Sequence, residues 1–502
     1  MVLCFATSAV GAAQTVSGPL VVNERWPQCS DLAGWTRDVM RIEGVEKASE
    51  TAQGKAFFRW LRLFSRMATG GMIQAYEGEE GKERYVTDAH KNLFVYGWGY
   101  CDTTSRIAEA AWCEYKRDRE AAERVCVMHD NGGYHTMYRL RLDGRWGAFD
   151  PRYGYYLVDR DAADAAVLDW KDVGDDKRLL ANKGYKFRSA PFFEFFGLEW
   201  ERALLLHPAY FATEGDWVKA GKPAEHVFGN RMYQMGTRYH DMDFQLPQGA
   251  VIERFWDNSA RQFYVPKGAH TKREEAFLPS GRFYRVTETM FDGNWPKHDP
   301  NYAWAKPYLE TVPASEGYNA GVSGGRTIGQ AWGRMRVPVA RNADGVFDFY
   351  SPFVLTAGRL ARGAGYEIRT LQAKASHTGE ADVWSAWTRV GDVLPVQGVY
   401  RFQLRGGVGG TAVDLYFENG IMTLPRLLEG TNTVHCKLRD ASRLAGVLRI
   451  RYRYRAGGEK RVHEQRLGKA DFRGNTASYR IDAPGLTRCD SVEVAYLLPD
   501  SK

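Results

Sequence analysis

Residues 97–112, GWGYCDTTSRIAEAAW, decide the fold of this chain: a glycine-rich approach leads to a cysteine, and a helical pattern follows it. The apolar residues after Cys101 recur at helical spacing, which predicts a helix from Cys101 to about Arg119. A cysteine is most often a small buried hydrophobe, so its presence alone indicates no chemistry. At the start of a helix, however, a thiol converts more readily to the thiolate, the form that acts as a nucleophile.

A β-hairpin is predicted downstream of this helix. Residues 134–142, YHTMYRLRL, and residues 145–150, RWGAFD, alternate apolar and polar positions, as half-buried strands do. Asp143 and Gly144 stand between them, and an Asp-Gly pair is a strong signal for a two-residue turn. A further strand is predicted at 125–129, VCVMH, so the whole region is predicted to be α+β.

The predicted turn fixes which residues of the two strands lie opposite each other. With Leu142 opposite Arg145, counting back places Met137 opposite Asp150. Because side chains alternate between the faces of a sheet, His135 and Asp150 share a face and lie diagonal to each other, within hydrogen-bonding reach. A histidine beside a carboxylate, downstream of a helix-start cysteine, is the arrangement that nucleophilic cysteine catalysis needs.

His129 is the other histidine close downstream of the cysteine. It lies before the turn signal at 131–133, and the register places no carboxylate beside it in the same way. The pattern therefore favours Cys101 as nucleophile, His135 as general base and Asp150 as the residue that orients the imidazole. The structural alternative is an ordinary sheet in which the histidine and the aspartate are simply hydrogen bonded.

The run from Gly97 to Asp150 resembles the transglutaminase-like superfamily, whose papain-like core joins a helix-start cysteine to a histidine strand and an aspartate strand. The resemblance covers about residues 25–210, including two predicted helices before the cysteine. It implies the roles of nucleophile for Cys101, base for His135 and orienting residue for the aspartate. Papain-type enzymes share the chain order, but their C-G-[SA]-C-[WY] signature is absent here.

One residue departs from the pattern of that family. Its histidine is usually preceded directly by glycine, whereas Tyr134 stands between Gly133 and the histidine here, which puts access to the site in question. Trp98 is interpreted as a core aromatic rather than as a wall of an acyl pocket. The backbone N–H of Cys101 is the expected oxyanion donor, and the sequence identifies no second one.

Length and composition predict a globular chain of several domains. No sequence pattern points to a cofactor. The 502 residues exceed what one core holds, and 44% of them are hydrophobic. The net charge of +7, from 68 basic and 61 acidic residues, favours acidic partners only weakly, and no nucleic-acid-binding pattern is present. No apolar run reaches the roughly 18 residues that a membrane span needs. The seven cysteines form no C-x-x-C pair, so no metal site is predicted.

The first residues predict export. Residues 1–14, MVLCFATSAVGAAQ, are similar to the remnant of a signal peptide, with a plausible cleavage site after Ala13. The protein is therefore predicted to be secreted or periplasmic, as a bacterial-type secreted member of the superfamily. In an oxidising compartment Cys436 and Cys489 are the candidates for a disulfide in the last domain.

The predicted fold class is α+β, with a transglutaminase-like (papain-like) catalytic domain followed by all-β, sandwich-like domains. After the remnant at 1–14, the predicted units are 20–214, the catalytic domain; 215–325, a β-rich connecting region; 326–430, a β-sandwich-like domain; and 431–502, a second small β domain. Helices are predicted at 30–43 and 50–67. A flexible run at 311–329 predicts that the catalytic part folds without the C-terminal domains.

Two features of the C-terminal half are interpreted as structural. Four arginines alternate with apolar residues over 448–455 and are expected on a solvated sheet face rather than in a polyanion site: Arg449, Arg451, Arg453 and Arg455. Four aromatic residues are of the type that stacks against a sugar ring: Trp384, Trp387, Tyr400 and Phe402. Their alternation along the chain nevertheless favours a place in the core for most of them.

The sequence thus predicts a cysteine-nucleophile amide or peptide hydrolase that forms an acyl-thioester intermediate. Two alternatives stay open: a protein-glutamine acyltransferase, and a non-catalytic protein that binds a polymer or a protein on the same fold. The expected substrate is a peptide, protein or cell-wall-type amide, and the C-terminal β domains are candidates for binding a polysaccharide or protein partner. Neither a cofactor nor a nucleic acid is expected.

Overall fold

The computed structural model describes most of the β-rich half of the chain and the region around Cys101. The described residues are 15–67, 76–77, 84–99, 101–128, 134–151, 155–159, 164–169, 186–188, 210–212, 240–256, 330–361, 365–371, 383–407 and 411–497. At some positions, including Trp98, Tyr134 and His135, the description covers the backbone alone. The predicted signal remnant at 1–14 and the predicted flexible run at 311–329 lie outside the described residues.

The helices of the described chain lie in its N-terminal part. They are α1 (Leu32–Ile42), α2 (Glu50–Phe64), a π-helix (Lys91–Tyr96) and α3 (Cys101–Lys116). Helix α1 begins after Asp31, whose carboxylate accepts the Gly34 N–H at 2.6 Å, and α2 begins after Ser49. Helix α3 ends earlier than predicted, because Arg117 takes a left-handed backbone with φ 55°. No helix within the described residues has the length and apolar character needed to cross a membrane.

Strands dominate the rest of the described chain. The first fourteen are β1 (Thr15–Ser17), β2 (Leu20–Asn23), β3 (Arg66–Met67), β4 (Tyr76–Glu77), β5 (Arg84–Tyr85), β6 (Trp98–Gly99), β7 (Ala122–Met128), β8 (Tyr134–Leu142), β9 (Arg145–Asp150), β10 (Tyr155–Val158), β11 (Lys186–Arg188), β12 (Tyr210–Ala212), β13 (Gln245–Pro247) and β14 (Val251–Phe255). The others are β15 (Gln330–Pro338), β16 (Val346–Tyr350), β17 (Val354–Leu360), β18 (Tyr366–Leu371), β19 (Thr388–Val390), β20 (Val393–Leu394), β21 (Arg401–Gly406), β22 (Ala412–Gly420), β23 (Gly430–Lys437), β24 (Val447–Ala456), β25 (Glu459–Leu467), β26 (Thr476–Ala483) and β27 (Leu486–Leu497). The protein is therefore mostly β, with a few helices and several sheets.

The region around Cys101 rests on a six-stranded antiparallel sheet in the order β11-β10-β9-β8-β7-β12. Strands β8 and β9 form the predicted hairpin with the predicted bounds, and both residues of its turn have positive φ, as a type I′ turn requires. The pairs run from Leu142 opposite Arg145 to Tyr138 opposite Phe149. The predicted register of these strands is therefore confirmed over these pairs.

The helices pack on this sheet through an aromatic core. Trp35 of α1 meets Phe57 and Phe64 of α2 edge to face, at ring-centroid distances of 5.8 and 5.3 Å. Phe57 in turn meets Trp112 of α3 at 5.3 Å. Edge-to-face pairs add a preferred geometry to the burial of large rings, so they fix how the three helices meet. Helix α2 also contacts the sheet directly, because Phe58 meets Phe149 of β9 at 5.4 Å.

The C-terminal half is held by an eight-stranded sheet in the order β20-β17-β22-β15-β14-β27-β24-β25, with a four-stranded sheet β16-β21-β18-β19 and a three-stranded sheet β2-β23-β26. Strand β24 alternates buried and half-buried residues along its length, as predicted for residues 448–455. The eight-stranded sheet contains strands from both sides of residue 430, where the sequence predicted a boundary between two domains. Strand β23 begins at that residue.

The N-terminal segment belongs to the C-terminal sheets. Strand β2 pairs with β23, from Leu20 opposite Lys437 to Asn23 opposite Val434. Just after it, the indole N–H of Trp26 donates to the backbone oxygen of residue 422 at 2.8 Å. The helices around Cys101 are therefore tied at their N-terminal end to strands more than 400 residues further along the chain.

The predicted disulfide between Cys436 and Cys489 is wrong, because both are buried free thiols. Cys436 lies in β23 and Cys489 in β27, and these strands belong to different sheets. The Cys489 thiol instead lies 3.7 Å from the backbone oxygen of Leu427. Burial raises the pKa of Cys436 to about 12 and that of Cys489 to about 11, so both stay protonated at neutral pH.

The four arginines of β24 do not form an isolated basic stripe. Arg449 pairs with Glu493 at 2.8 Å, and Arg453 pairs with Glu253 at 2.5 Å. Arg451 bonds the carboxylate of Glu464 on the neighbouring strand. Because carboxylates lie among these arginines, the face serves to hold strands β14, β24, β25 and β27 together, in line with the structural interpretation.

The predicted core aromatics fall into two groups. Tyr400 and Phe402 are buried, as expected, whereas Trp384 and Trp387 are only half-buried. The guanidinium of Arg369 lies 4.9 and 4.8 Å from the centroids of the two indole rings. The tryptophans are therefore covered by an arginine rather than by the apolar core, which the alternation alone did not predict.

Candidate active site

Cys101 is the first residue of α3, and it is 7% exposed. The chain reaches it through Gly97, which ends the π-helix with φ 67°, and through strand β6, which pairs with β3 in parallel. A Cβ on Gly99 would lie 2.5 Å from the side chain of Thr103. Glycine at position 99 therefore lets the first turn of α3 pack directly against the chain that leads into it.

Helix α3 runs beside strand β8 and in the same direction. The Ser105 hydroxyl donates to the backbone oxygen of Thr136 at 3.4 Å. One turn further along the helix, the carboxylate of Glu109 pairs at 2.8 Å with Arg124, which lies opposite Tyr138 in the β7–β8 ladder. A step of one helical turn thus corresponds to a step of two strand residues.

The next turn repeats this step. The Cys113 thiol lies 3.7 Å from the backbone oxygen of Ala122, which lies opposite Leu140. Four helical residues rise about 6 Å and two strand residues about 6.6 Å, so α3 and β8 stay nearly level with each other. Burial raises the pKa of Cys113 to about 12, which leaves this thiol a packing residue.

Taken backwards from Ser105, the same step reaches Cys101 and the start of β8. Cys101 lies four residues before Ser105, hence on the same side of the helix, facing the strand. The residues of β8 at that level are Tyr134 and His135, whose backbones pair with β7, His135 opposite Val127. The order of elements therefore brings the cysteine end of the helix to the histidine end of the strand.

Some of the sequence predictions fall outside this description. The side chain of His135 lies outside the described residues, so its role as base rests on the position of its backbone. The same holds for Tyr134 and for Trp98, whose interpretation as a core aromatic stays a prediction. His129, the alternative base, lies outside the described residues altogether.

Asp150 ends strand β9 and is 1% exposed. The hairpin pairs end at Tyr138 opposite Phe149, so the predicted pairing of Met137 with Asp150, one step further, stays a prediction. On its other side Asp150 pairs with Tyr155 of β10. Because β9 runs antiparallel to β8, the end of β9 and the start of β8 share one end of the sheet, which is the end that Cys101 faces.

The Asp150 carboxylate lies in a buried polar environment. The ring of Tyr138 stacks on Phe149 at 5.5 Å, and burial raises the pKa of Tyr138 well above its usual value. The positive charge of Arg62 opposes this rise, and the negative charge of Asp150 adds to it. The buried phenol of Tyr138 therefore feels the charges of both Asp150 and Arg62 of α2.

Asp102 directly follows the cysteine and would repel a thiolate if its charge were not balanced. Its two oxygens pair with Arg106 at 3.0 Å and with Arg124 at 3.3 Å. Arg124 also pairs with Glu109 at 2.8 Å, which ties α3 to strand β7. The cations thus offset the carboxylate next to Cys101, so that the helix N-terminus keeps its preference for an anion.

A buried polar cluster anchors the π-helix that leads to Cys101. Glu77 has no exposed surface; one of its oxygens accepts from the Lys91 ammonium at 2.5 Å, and the other accepts from the hydroxyls of Tyr96 and Tyr400 at 2.6 and 2.5 Å. The Lys91 ammonium also lies 4.3 Å from the Tyr400 ring centroid. Since Tyr400 belongs to the C-terminal half, this cluster joins the β region to the approach of the candidate nucleophile. We call it the Glu77 cluster.

A histidine continues the Glu77 cluster towards the β region. His240 stacks edge to face on Tyr400 at 4.6 Å, and its Nε2 lies 2.8 Å from the backbone oxygen of Pro352. Burial and the nearby charge of Lys91 lower the pKa of His240 to about 3, so the ring is neutral and donates to that oxygen. The backbone N–H of His240 donates to Asp88 at 2.7 Å. The π-helix is thus held by the Glu77 cluster and by the bond between His240 and Asp88, which lies just before the helix.

Sequence reasoning missed the Glu77 cluster and the ion pairs of Asp102. The spacing of Asp102 and Arg106, four residues apart on a helix, was a usable signal for an ion pair. Nothing local marks Glu77 and Tyr400 as partners, because they are 323 residues apart in the chain. Within the described residues, no group of three potential ligands could hold a metal ion.

Comparison with known proteins adds little. No family model matches the chain, and no curated protein does. Among solved structures, a conserved protein of unknown function from Pseudomonas aeruginosa PAO1 is similar over 33% of this chain and 76% of its own, at 14% identity with a TM-score of 0.10. A TM-score this low carries no argument, and the transglutaminase-like resemblance stays a prediction.

Proposed function

We propose that the protein is a cysteine-nucleophile amide or peptide hydrolase of transglutaminase-like type. The observation that carries the proposal is the matched direction and spacing of α3 and β8, which, continued backwards, leads from the Cys101 end of α3 to the start of β8, where His135 follows Tyr134. Asp150 ends the neighbouring strand at the same end of the sheet. A nucleophile, a base and an orienting carboxylate drawn from three elements are what acyl transfer by a cysteine requires.

In the proposed reaction, His135 takes the thiol proton and the Cys101 sulfur attacks the amide carbonyl carbon, forming a C–S bond. The imidazolium gives its proton to the leaving amine as the C–N bond breaks, which leaves an acyl-thioester. Water then loses a proton to His135 and attacks the thioester carbon, and the C–S bond breaks to release the acid and restore the thiol. Asp150 orients the imidazole throughout and takes no proton.

Hydrolysis is proposed ahead of transfer to an amine, since water is abundant and transfer needs a site that excludes it. The proposed substrate is a peptide, protein or cell-wall-type amide, met outside the cell or in the periplasm as the predicted signal remnant suggests. The acyltransferase alternative uses the same residues, with an amine in place of water. A non-catalytic scaffold would need none of the three.

A peptide-library screen read by mass spectrometry, with and without an added primary amine, tests the proposal. Hydrolysis adds one water across an amide bond, whereas transfer yields a product carrying the amine. We expect cleavage products in both conditions and amine adducts as a minor fraction. Turnover in which the amine adduct dominates would favour the acyltransferase, and the absence of any turnover across the library would favour the scaffold.

Two cysteines of the same helix provide the matched variants. Cys101→Ala removes the proposed nucleophile and is expected to abolish turnover, at least to the order of 10³-fold. Cys113→Ala removes a buried thiol three turns further along α3, with a similar loss of volume, and is expected to keep turnover while losing some stability. Activity that survives Cys101→Ala contradicts the proposal.

A further inference from the structure

Arg254 stands where the pattern of the eight-stranded sheet requires an apolar side chain. It lies in β14 two residues after the buried Ile252, so the two side chains share a face. Its neighbours across the sheet are Val492 of β27 and Gly333 of β15. An arginine at such a position has to be matched by an acceptor or a counter-charge, because burying an uncompensated charge is unfavourable.

The carboxylate next to Arg254 in the sequence does not supply that counter-charge. Glu253 points to the opposite face of the sheet, where it pairs with Arg334 at 2.7 Å and with Arg453 at 2.5 Å. Within the described residues, no carboxylate forms an ion pair with Arg254. Glu253 is therefore paired on one face of the sheet, whereas Arg254 lies on the other face.

The contacts of Arg254 satisfy only part of its guanidinium. One terminal nitrogen donates to the Thr423 hydroxyl at 2.7 Å, and that hydroxyl in turn donates to the backbone oxygen of Gly420 at 2.6 Å. The guanidinium carbon lies 4.6 Å from the ring centroid of Phe353. Among the described residues, no acceptor lies within hydrogen-bonding distance of the buried Nε–H. The guanidinium is thus held in place by Thr423 and Phe353 without a paired carboxylate in the described part of the chain, and such a group is prepared for an anion.

A cavity opens beside this guanidinium. Its volume is about 70 Å³. The walls are mostly apolar, with Val21, Met242, Phe244 and Val494 among the residues that line it. The thiol of Cys29 also lines it, and burial raises the pKa of that thiol while the charge of Arg254 opposes the rise. The cavity therefore joins one cation to hydrophobic walls.

The charge of Arg254 is maintained at an energetic disadvantage. Burial lowers the pKa of Arg254 to about 10, which still leaves it charged at neutral pH. A monoanion in the cavity would neutralise this charge, whereas a dianion such as phosphate would bring a second charge that no other cation lining the cavity matches. The apolar walls suit an aliphatic chain rather than a further polar group.

We propose that this cavity is a binding site for a small aliphatic carboxylate, with the carboxylate on Arg254 and the aliphatic part against the apolar walls. Two sources share this chemistry: a free short-chain carboxylic acid, and the C-terminal carboxylate of an apolar peptide. The site is independent of the proposed reaction at Cys101.

Calorimetric titration of the full-length protein with acetate, propionate and butyrate tests the site, with chloride and phosphate as controls. The affinity is expected to rise about fourfold with each methylene that enters the cavity, as burial of that group predicts. A peptide ending in Ala-Val-Val, with a free or an amidated C-terminus, is the second arm. Binding of the free peptide alone, without butyrate, assigns the site to peptide ends; binding of butyrate assigns it to free acids.

Two arginine variants separate a ligand site from a structural arginine. Arg254→Met removes the guanidinium but keeps an unbranched apolar stem, and it is expected to abolish carboxylate binding. It should leave the melting temperature without ligand equal to or above that of the wild type, because a partly buried charge without a counter-charge is lost. Arg334→Met, on the opposite face of the sheet, is expected to keep wild-type carboxylate binding.

The proposal is overturned if no carboxylate or free peptide binds the wild-type protein, a measurement that depends on no variant. Equal binding of the free and the amidated peptide, or of chloride and butyrate, also overturns it. A melting temperature that falls in Arg254→Met while carboxylate binding persists would show that the arginine is purely structural.

Discussion

At the scale of single residues, Asp150 is the group whose role follows most directly from the register. Asp150→Asn keeps the size of the side chain but can present an amide N–H to the imidazole, which favours the wrong tautomer. We expect kcat to fall by about 10²–10⁴ with little change in the melting temperature, as for other neutralised orienting residues. Steady-state kinetics and thermal unfolding of the same preparation measure both quantities.

The control for this variant is Asp169→Asn. Asp169 is a buried carboxylate that pairs with Arg139 of β8 at 2.7 Å, away from the end of the strand that faces Cys101. The Asp169→Asn variant is expected to be less stable than the wild type while its kcat stays unchanged. Asp130 directly follows His129, the alternative base, in the sequence. If Asp150→Asn keeps full activity while Asp130→Asn abolishes it, the base is His129 and the assignment of His135 is wrong.

At the scale of elements, the β8–β9 hairpin and helix α3 were predictable because their signals are local. The Asp-Gly turn set the register of the hairpin, and the structure has Leu142 opposite Arg145 as predicted. The π-helix before Cys101 was not predicted, because its stability comes from Glu77 and from a tyrosine of the β region. Contacts between distant parts of the chain leave no periodic pattern in a sequence.

The Glu77 cluster yields a prediction about the approach to the nucleophile. Tyr400→Phe removes one hydrogen bond to the buried carboxylate, and such a bond contributes about 1.5–3 kcal/mol. If the cluster positions Cys101 through the π-helix, kcat and the alkylation rate of Cys101 should both fall severalfold while KM changes little. Tyr452→Phe, which removes a buried hydroxyl bond to Pro425, controls for stability loss alone. Equal kinetic effects of the two variants would contradict a positioning role.

At the scale of the whole molecule, the N-terminal part and the β region are one structural assembly. The sequence predicted that the catalytic part folds without the residues after about 325, because the run at 311–329 has the composition of a flexible linker. In the structure, strand β2 pairs with β23, and Tyr400 completes the Glu77 cluster. A chain that ends near residue 325 would lose both, so we expect it to be unstable. Composition cannot reveal this, since pairing between chain ends is a non-local property.

The His240 contacts predict how stability depends on pH. Burial and Lys91 lower the pKa of His240 to about 3, below the value of about 6.5 in an unfolded chain. Between these values the unfolded chain binds a proton that the folded protein does not. The free energy of unfolding should therefore fall as pH drops below about 6.5, by up to about 1.4 kcal/mol per pH unit from this group.

Urea denaturation at pH 7, 6 and 5 measures this dependence. Asp88 adds nothing over this range: burial opposes the lowering of its pKa by the charge and backbone N–H of Lys91, and a carboxylate with a lowered pKa affects stability only below about pH 4. His240→Gln keeps a donor for the backbone oxygen of Pro352 but cannot titrate, so its stability should depend less on pH than that of the wild type. An unchanged slope in this variant would show that other groups carry the effect.

The central claim is that Cys101 is the nucleophile, and native alkylation tests it most directly. The measurement is the rate of labelling by iodoacetamide at pH 7, mapped to individual cysteines by mass spectrometry, in the wild type and in His135→Gln. The account predicts that Cys101 is labelled first, because burial keeps Cys113, Cys436 and Cys489 protonated, and that this preference is lost in the variant. Labelling of Cys101 no faster than the other cysteines, or equally fast in His135→Gln, would contradict it.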